Sequence, residues 1–261
     1  TARQVMTTMT LKEGEGPTLV APTFGNVTPS QFTRGSSINQ YQQFSLEKVS
    51  ISPIWVAVHM MIDKYADMLT SEDLNRIGGK IMADGMNRFE DEDCLALMDG
   101  FSISVGLGGT PKPQYIFDAE AYLTGQTTNP AEPPLYVVLH PFHWNAMRNE
   151  IAGFNDKGLT GSTAAGDGSL RDQVLRTGKL GELAGLQFYR AGNLSVAGGV
   201  AKAGVMAKTA WIHYVYQAFT PETKWEPEMQ GTHLYVVMGY GRGEWFDGPG
   251  VELNLAAANP V

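Results

Sequence analysis

Apolar residues recur at helical spacing between residues 70 and 100. Leu74, Ile77, Ile81, Met82 and Phe89 gather on one face at about 100° per residue, while Glu72, Arg76, Lys80 and Asp84 fall mostly on the other. Thr70 or Ser71 offers an N-cap oxygen, Glu72 and Asp73 place negative charge at the positive end of the dipole, and Gly100 is a stop. Gly78 and Gly85 lower the intrinsic helicity and let a neighbour approach. Nearly thirty residues make a rod of roughly 45 Å, a spine for the rest of the chain.

Elsewhere the pattern changes period. Residues 1–12 are polar and aperiodic, which predicts an extended arm. Residues 13–48 hold Gly14, Gly16, Pro17, Pro22, Gly25, Pro29 and Gly35 between β-prone pieces at 18–20 and 41–44. So long a loop requires support, and a projecting hairpin resting on a neighbouring copy supplies it. Leu46, Val49 and Ile51, then residues 54–58, predict one long strand broken at Pro53 and lying near an edge. Residues 101–113 read as glycine-rich turns, and 115–123 as a short strand or a helical turn. Residues 135–139 form a fully apolar strand, and Pro141 starts a helix that runs through Ile151. A surface loop at 153–168, a short helix at 170–176 and a strand at 186–189 follow. Residues 205–219 suggest a strand pair, 234–241 another strand, and Asp247-Gly248-Pro249-Gly250 a turn before a last strand at 251–255. Strands and helices do not alternate regularly, so the fold class is α+β.

Composition narrows the function classes. With 261 residues there is length for one large domain or two modest ones. A net charge of −8 argues against broad coating of nucleic acid or anionic membrane, yet suits a container for a polyanion. The single cysteine, Cys94, allows no disulfide within the chain and fits synthesis in a reducing compartment. The most apolar run, 53–62, is too short to span a bilayer. The opening residues do not read as a signal peptide, and the missing initiator Met predicts that a leading piece is removed or left out.

Candidate chemistry is sparse. His140 and His143 flank a strand-to-helix junction, but only His59, His213, His233 and Cys94 remain as further zinc ligands, and Pro141 accounts for the local sequence. The acidic run at 90–93 reads as a solvated or interface-facing segment. Glu92 is its exception, because the wheel places it on the apolar face, where it needs an Arg or Lys partner within the subunit or across an interface. The glycines at 106–109 precede Thr-Pro-Lys-Pro, which cannot open a helix, and those at 199–204 lack the lysine of a phosphate loop. No Gly-x-Ser-x-Gly occurs. No catalytic, cofactor-binding or metal-binding residue is predicted, and no cofactor.

The order of these parts resembles a known family. Asp93-Cys94-Leu95-Ala96-Leu97-Met98-Asp99-Gly100 closes the spine, and Val137-Val138-Leu139-His140-Pro141 opens a helix. Gly178-Lys179-Leu180-Gly181-Glu182-Leu183-Ala184-Gly185-Leu186-Gln187-Phe188-Tyr189 is followed by Ala207-Lys208-Thr209-Ala210 near a β segment. With the arm and hairpin ahead of them, they resemble the major capsid proteins of tailed bacteriophages, the Hong-Kong-97-type capsid fold, from Gly14 onward.

The resemblance implies an N-arm at 1–12, an E-loop at 13–49 lying over an adjacent subunit, and a P-domain at 50–112 built on the spine helix at 70–99. An axial A-domain follows at 113–215, then a return to the P-domain at 216–248 and an A-domain strand at 249–261. It implies a structural coat protein, not an enzyme, that self-assembles into pentamers and hexamers around double-stranded DNA. The protein would be made in the host cytoplasm and end in the virion. Scaffolding, portal and decoration proteins are the further partners, with weak, non-specific contact to DNA and none to membrane. Subunit contacts are expected at Arg34, Phe32, Tyr41 and Glu92. Some members of the fold join an E-loop lysine to a neighbour's asparagine. Here no lysine lies between Lys12 and Lys48, only Arg34, and a guanidinium cannot act as that nucleophile. An encapsulin-type nanocompartment shell is the alternative on the same fold. A monomeric hydrolase with an unrecognised site is the alternative of another class.

Overall fold

The computed structural model describes residues 2–10, 16–24, 31, 34, 46–69, 73–126, 130–152, 182–183 and 185–257. The expected loop at 153–168, the helix at 170–176, the caps Thr70 and Ser71, and most of the hairpin tip lie outside these residues.

The spine comes first, because everything nearby packs on it. A helix at Ala2–Val5 (α1) and a strand at Thr7–Thr10 (β1) form the arm. Strands Leu19–Phe24 (β2) and Leu46–Ile51 (β3) form the hairpin base, Ile54–Asp63 (β4) follows, and a short helix, Lys64–Leu69 (α2), leads to the spine helix Leu74–Leu95 (α3). The Asp73 side chain caps α3 by accepting the Arg76 N–H at 3.1 Å. Twenty-two residues span about 33 Å. The predicted last turn tightens into a 3-10 helix at Ala96–Gly100.

The buried stripe of the spine is Gly78, Met82, Met86, Glu90 and Cys94. It matches the face expected from the wheel only in part: Met82 is buried and Leu74 packs on the core, while Ile81 and Phe89 are 56% and 49% exposed. The stripe faces a four-stranded sheet of order β1-β11-β12-β4, in which β11 is Trp211–Glu226 and β12 is Gly231–Glu244. Alternate β12 residues Leu234, Val236, Met238 and Tyr240 meet the spine, joined by Val56, Val58 and Met60 of β4. A Cβ on Gly78 would lie 3.0 Å from Leu234 Cδ1, so glycine sets how closely helix and sheet approach. β4 is the sheet's edge strand, as predicted. It does not continue β3 past Pro53, because β3 pairs with β2 in a separate two-stranded sheet that forms the base of the expected hairpin.

The arm is not wholly extended. α1 buries Ala2, Val5 and Met6 in the spine core, and β1 then pairs parallel to β11.

A second, seven-stranded sheet holds the rest. Its strands are Ser104–Gly109 (β5), Leu135–Leu139 (β6), Glu182–Leu183 (β7), Leu186–Arg190 (β8), Val196–Ala197 (β9), Val200–Ala207 (β10) and Gly250–Ala256 (β13). Helices Pro113–Thr124 (α4) and Pro141–Ala152 (α5) cover one face, contributing Ile116, Leu123, Trp144 and Met147. Tyr136, Val138 and Met206 on the other face join the spine core, so β6 is buried on both sides and apolar throughout. Residues 115–123 are thus helical, with Pro113 at the start. β5, expected as turns, pairs parallel with β13 while Gly106, Leu107 and Gly108 keep positive φ angles of 96°, 42° and 77°. β5 belongs to the large sheet, and β11 belongs to the spine sheet from Trp211 onward.

Candidate assembly site

The acidic run at the end of the spine is a structural knot. Glu90 continues the buried stripe and is only 3% exposed. Arg3 of the arm donates to it twice, Nε to Oε1 at 2.6 Å and Nη2 to Oε2 at 2.5 Å, and His213 Nε2 of β11 lies 2.6 Å from Oε1. Burial alone would push the Glu90 carboxyl up, but the bonds from His213 and Arg3 outweigh it and hold the group below its ordinary value. Asp91 accepts from the Ala2 N–H at 2.6 Å and from Asn193 Nδ2, beyond β8, at 3.1 Å. Asp93 accepts Arg242 Nε and Nη2 at 2.5 and 2.6 Å and the Tyr240 hydroxyl at 2.9 Å, and these bonds keep it ionised against the opposing cost of burial. Four consecutive spine residues therefore include three that tie together the arm, both sheets and the helix.

These bonds correct the solvated alternative for 90–93, and the placing of Glu92 on the apolar face of the helix is corrected as well. Glu92 is the exposed member of the run, off the apolar face. It lines a cleft of about 170 Å³ with Asp99, Asn193 and Lys202, and among the described residues no ion pair to it is formed. Arg34 is exposed, while Phe32 and Tyr41 lie outside the described residues. Arg3 and Arg242 are not singled out by the sequence, and His213 is named there only as a spare zinc ligand. A signal was there: extending Gly78, Met82 and Met86 by fours leads to Glu90 and Cys94.

The histidines have separate surroundings. His143 is buried, with Nε2 3.1 Å from the Leu255 carbonyl, and burial lowers it to about 4. His140 Nδ1 accepts the Phe142 N–H at 3.2 Å. His59 Nε2 lies 2.7 Å from His233 Nδ1 on the neighbouring strand. Among the described residues, no three His, Cys, Asp or Glu side chains group to hold a metal ion. Cys94 is fully buried, and burial together with Glu90 and Asp93 pushes its thiol up to about 12, which suppresses the reactive thiolate. Among the described residues no helix is long and apolar enough to cross a membrane.

The outward surfaces carry what a contact needs. Ile81 and Phe89 stand exposed on the spine beside Arg76, Lys80 and Arg88. Tyr65, Met68 and Leu69 of α2 and Trp225 and Met229 of the β11–β12 hairpin are exposed at the far end of the spine sheet, where the Lys64 N–H bonds the Gln230 carbonyl. Apolar groups concentrated at one end make a surface that water solvates poorly.

No protein-family model matches the sequence, and no curated protein does. The folded backbone does have matches. The capsid of Ralstonia phage GP4 superposes with a TM-score of 0.73 at 13% identity, covering 98% of this chain and 88% of that one. The head structure of Helicobacter pylori bacteriophage KHP40 gives 0.73 at 10% identity, covering 96% and 88%. The capsid of Cyanophage P-SCSP1u gives 0.69 at 14% identity, covering 97% and 87%. The chain has the Hong-Kong-97-type fold of tailed-phage capsids, and at these identities the likeness speaks for the fold.

Proposed function

We propose that this chain is the coat subunit of a tailed-phage-type head, assembling into pentamers and hexamers that close around double-stranded DNA. The observation that carries the reading is the match over nearly the whole chain to subunits of phage capsids and heads, with TM-scores of 0.73 for two of them. The two-stranded β2–β3 sheet, whose Ala21 and Ile51 pack on Ile212 and Tyr214 of β11, supports reading residues 13–49 as an E-loop rooted on the spine sheet. On this reading the spine with its sheet is the P-domain and the large sheet with α4 and α5 is the axial A-domain. Heterologous contacts between copies then close into rings and a shell.

Arg34 and Glu92, both exposed, are proposed as contact residues with Phe32 and Tyr41. With no lysine between Lys12 and Lys48, the shell is held without E-loop isopeptide bonds. Electron microscopy of the purified protein tests the reading. The expected result is closed icosahedral particles that, boiled in detergent, run as one band near 28.4 kDa. A monomer on a sizing column under all assembly conditions overturns the shell. A ladder of covalent multimers overturns the noncovalent contacts, and particles filled with protein instead of DNA move the function to a nanocompartment.

A further inference from the structure

His59 and His233 meet on the face of the spine sheet that points away from the spine. On β12, Leu234 and Val236 turn toward the helix, so His233 and Tyr235 turn outward, and His59 of β4, which pairs with Tyr235, shares that face. His59 Nε2 lies 2.7 Å from His233 Nδ1. The ring centroids are 4.9 Å apart and the ring planes differ by 16°. With the nitrogens so close, most of the centroid separation runs along the N···N line, so the rings meet edge to edge in nearly one plane. Tyr235 lies flat on His59, with centroids 4.4 Å apart and planes 3° apart, and holds that orientation.

The two nitrogens point at each other, and one hydrogen fits between them. A zinc ion on the same line does not, because two Zn–N bonds of about 2 Å end to end need about 4 Å. The direction of the hydrogen bond follows from β11, where Glu226 Oε2 lies 3.8 Å from His233 Nε2. A carboxylate there favours a hydrogen on His233 Nε2, which leaves Nδ1 as the acceptor and makes His59 Nε2–H the donor.

We propose that the His59–His233 pair is a proton-sensitive fastener of the edge strand β4, closed while one hydrogen lies between the rings and open when both imidazoles are cationic. The first added proton enters at Nδ1 of His59, the exposed ring, and leaves the bond in place. The second enters at Nδ1 of the buried His233, which is the acceptor itself. Hydrogens on both nitrogens then point at one another, and two positive rings stand side by side.

The neighbouring charges do not neutralise both rings. Glu226 is the carboxylate beside His233, but it is shared with Lys224, 3.8 Å away, and Lys224 stands opposite His233 on β11. Glu222 of β11 lies in the same cross-strand row as His59, with Tyr235 between them. Asp63 of β4 accepts the Tyr65 N–H at 2.8 Å. Among the described residues β4 has no strand on its other side, and it runs directly into α2. Histidine is the side chain that changes charge between pH 5 and 8, so this edge is held at neutral pH and loosened in mild acid. The fastener lies within one subunit and stands whether or not the subunit builds a shell.

Hydrogen exchange on the full chain at pH 7.5 and pH 5, corrected for the intrinsic pH dependence of exchange, reads it directly. Protection of the β4 amides bonded to β12 should fall roughly tenfold at pH 5 while protection at Val137 in β6 stays constant. His59→Gln keeps an amide donor for His233, cannot become cationic, and should abolish the fall. Flat protection in the wild type, or an equal fall in His59→Gln, overturns the fastener. Nitrogen-15 spectra of the imidazoles at pH 7.5 give an independent check: a bare Nδ1 and a protonated Nε2 on His233 support the arrangement, and a hydrogen on His233 Nδ1 overturns it.

Discussion

Replacing Glu90 with alanine should cost the folded subunit about 3 kcal/mol, from three sources. His213, fully buried, is left facing a cavity where the carboxylate stood, and an unsatisfied buried group costs about 1–3 kcal/mol. The Arg3 pair adds only about 0.5–1 kcal/mol, because Arg3 is 54% exposed and its guanidinium can return to water. The lost methylene adds about 0.8 kcal/mol. Urea unfolding of the soluble subunit at pH 7 measures the sum. At a slope near 3 kcal/mol/M, the midpoint should drop by about 1 M.

Glu92→Ala is the control two residues along the helix, on its other side. It is exposed and should stay within about 0.5 kcal/mol of wild type. The pH dependence has a definite sign. Glu90 titrates lower in the folded protein than its ordinary 4.5, so its stabilisation is complete above that value and is lost as pH falls through the lower folded value. The gap between wild type and Glu90→Ala should therefore close in strong acid. A Glu90→Ala subunit as stable as Glu92→Ala at pH 7 would refute the knot.

Two further outcomes separate the faces of the spine and the two sheets. Ile81→Asp should fold with a change under about 1 kcal/mol, while Met86→Asp should give no soluble subunit, because only the second buries an unpaired charge; soluble expression levels decide it, and the reverse order would restore the face expected from the wheel. Gly250→Ala should destabilise the protein by several kcal/mol, since its Cβ would fall 1.9 Å from Phe101 Cε1 and that ring is stacked on Trp211; an unchanged thermal midpoint would contradict that packing.

Local chemistry settled much of the chain from the sequence. Leu-Tyr-Val-Val-Leu at 135–139 has no polar residue to place in water, Pro141 has the backbone angle of a helix start, and Asp247-Gly248-Pro249-Gly250 can only turn. Each is decided by residues within one or two turns, so each is found where it was expected. The order of such pieces also sufficed for the fold resemblance, which the backbone match bears out.

The buried face of the spine needed the tertiary structure. By hydrophobicity the stripe through Ile81 and Phe89 outranks one made of Gly78, Met82, Met86, Glu90 and Cys94. A helix buries the stripe its neighbours can complete, though, not the most apolar one. Gly78 admits Leu234, flexible Met82 and Met86 fill the space above the sheet, and Glu90 is buried because Arg3 arrives from the arm and His213 from β11. Asp93 meets Arg242 across 149 positions of sequence. No window of the chain holds both members of such a pair. Which charges enter the core, and which apolar groups remain outside it, is therefore decided only when the sheet closes over the helix.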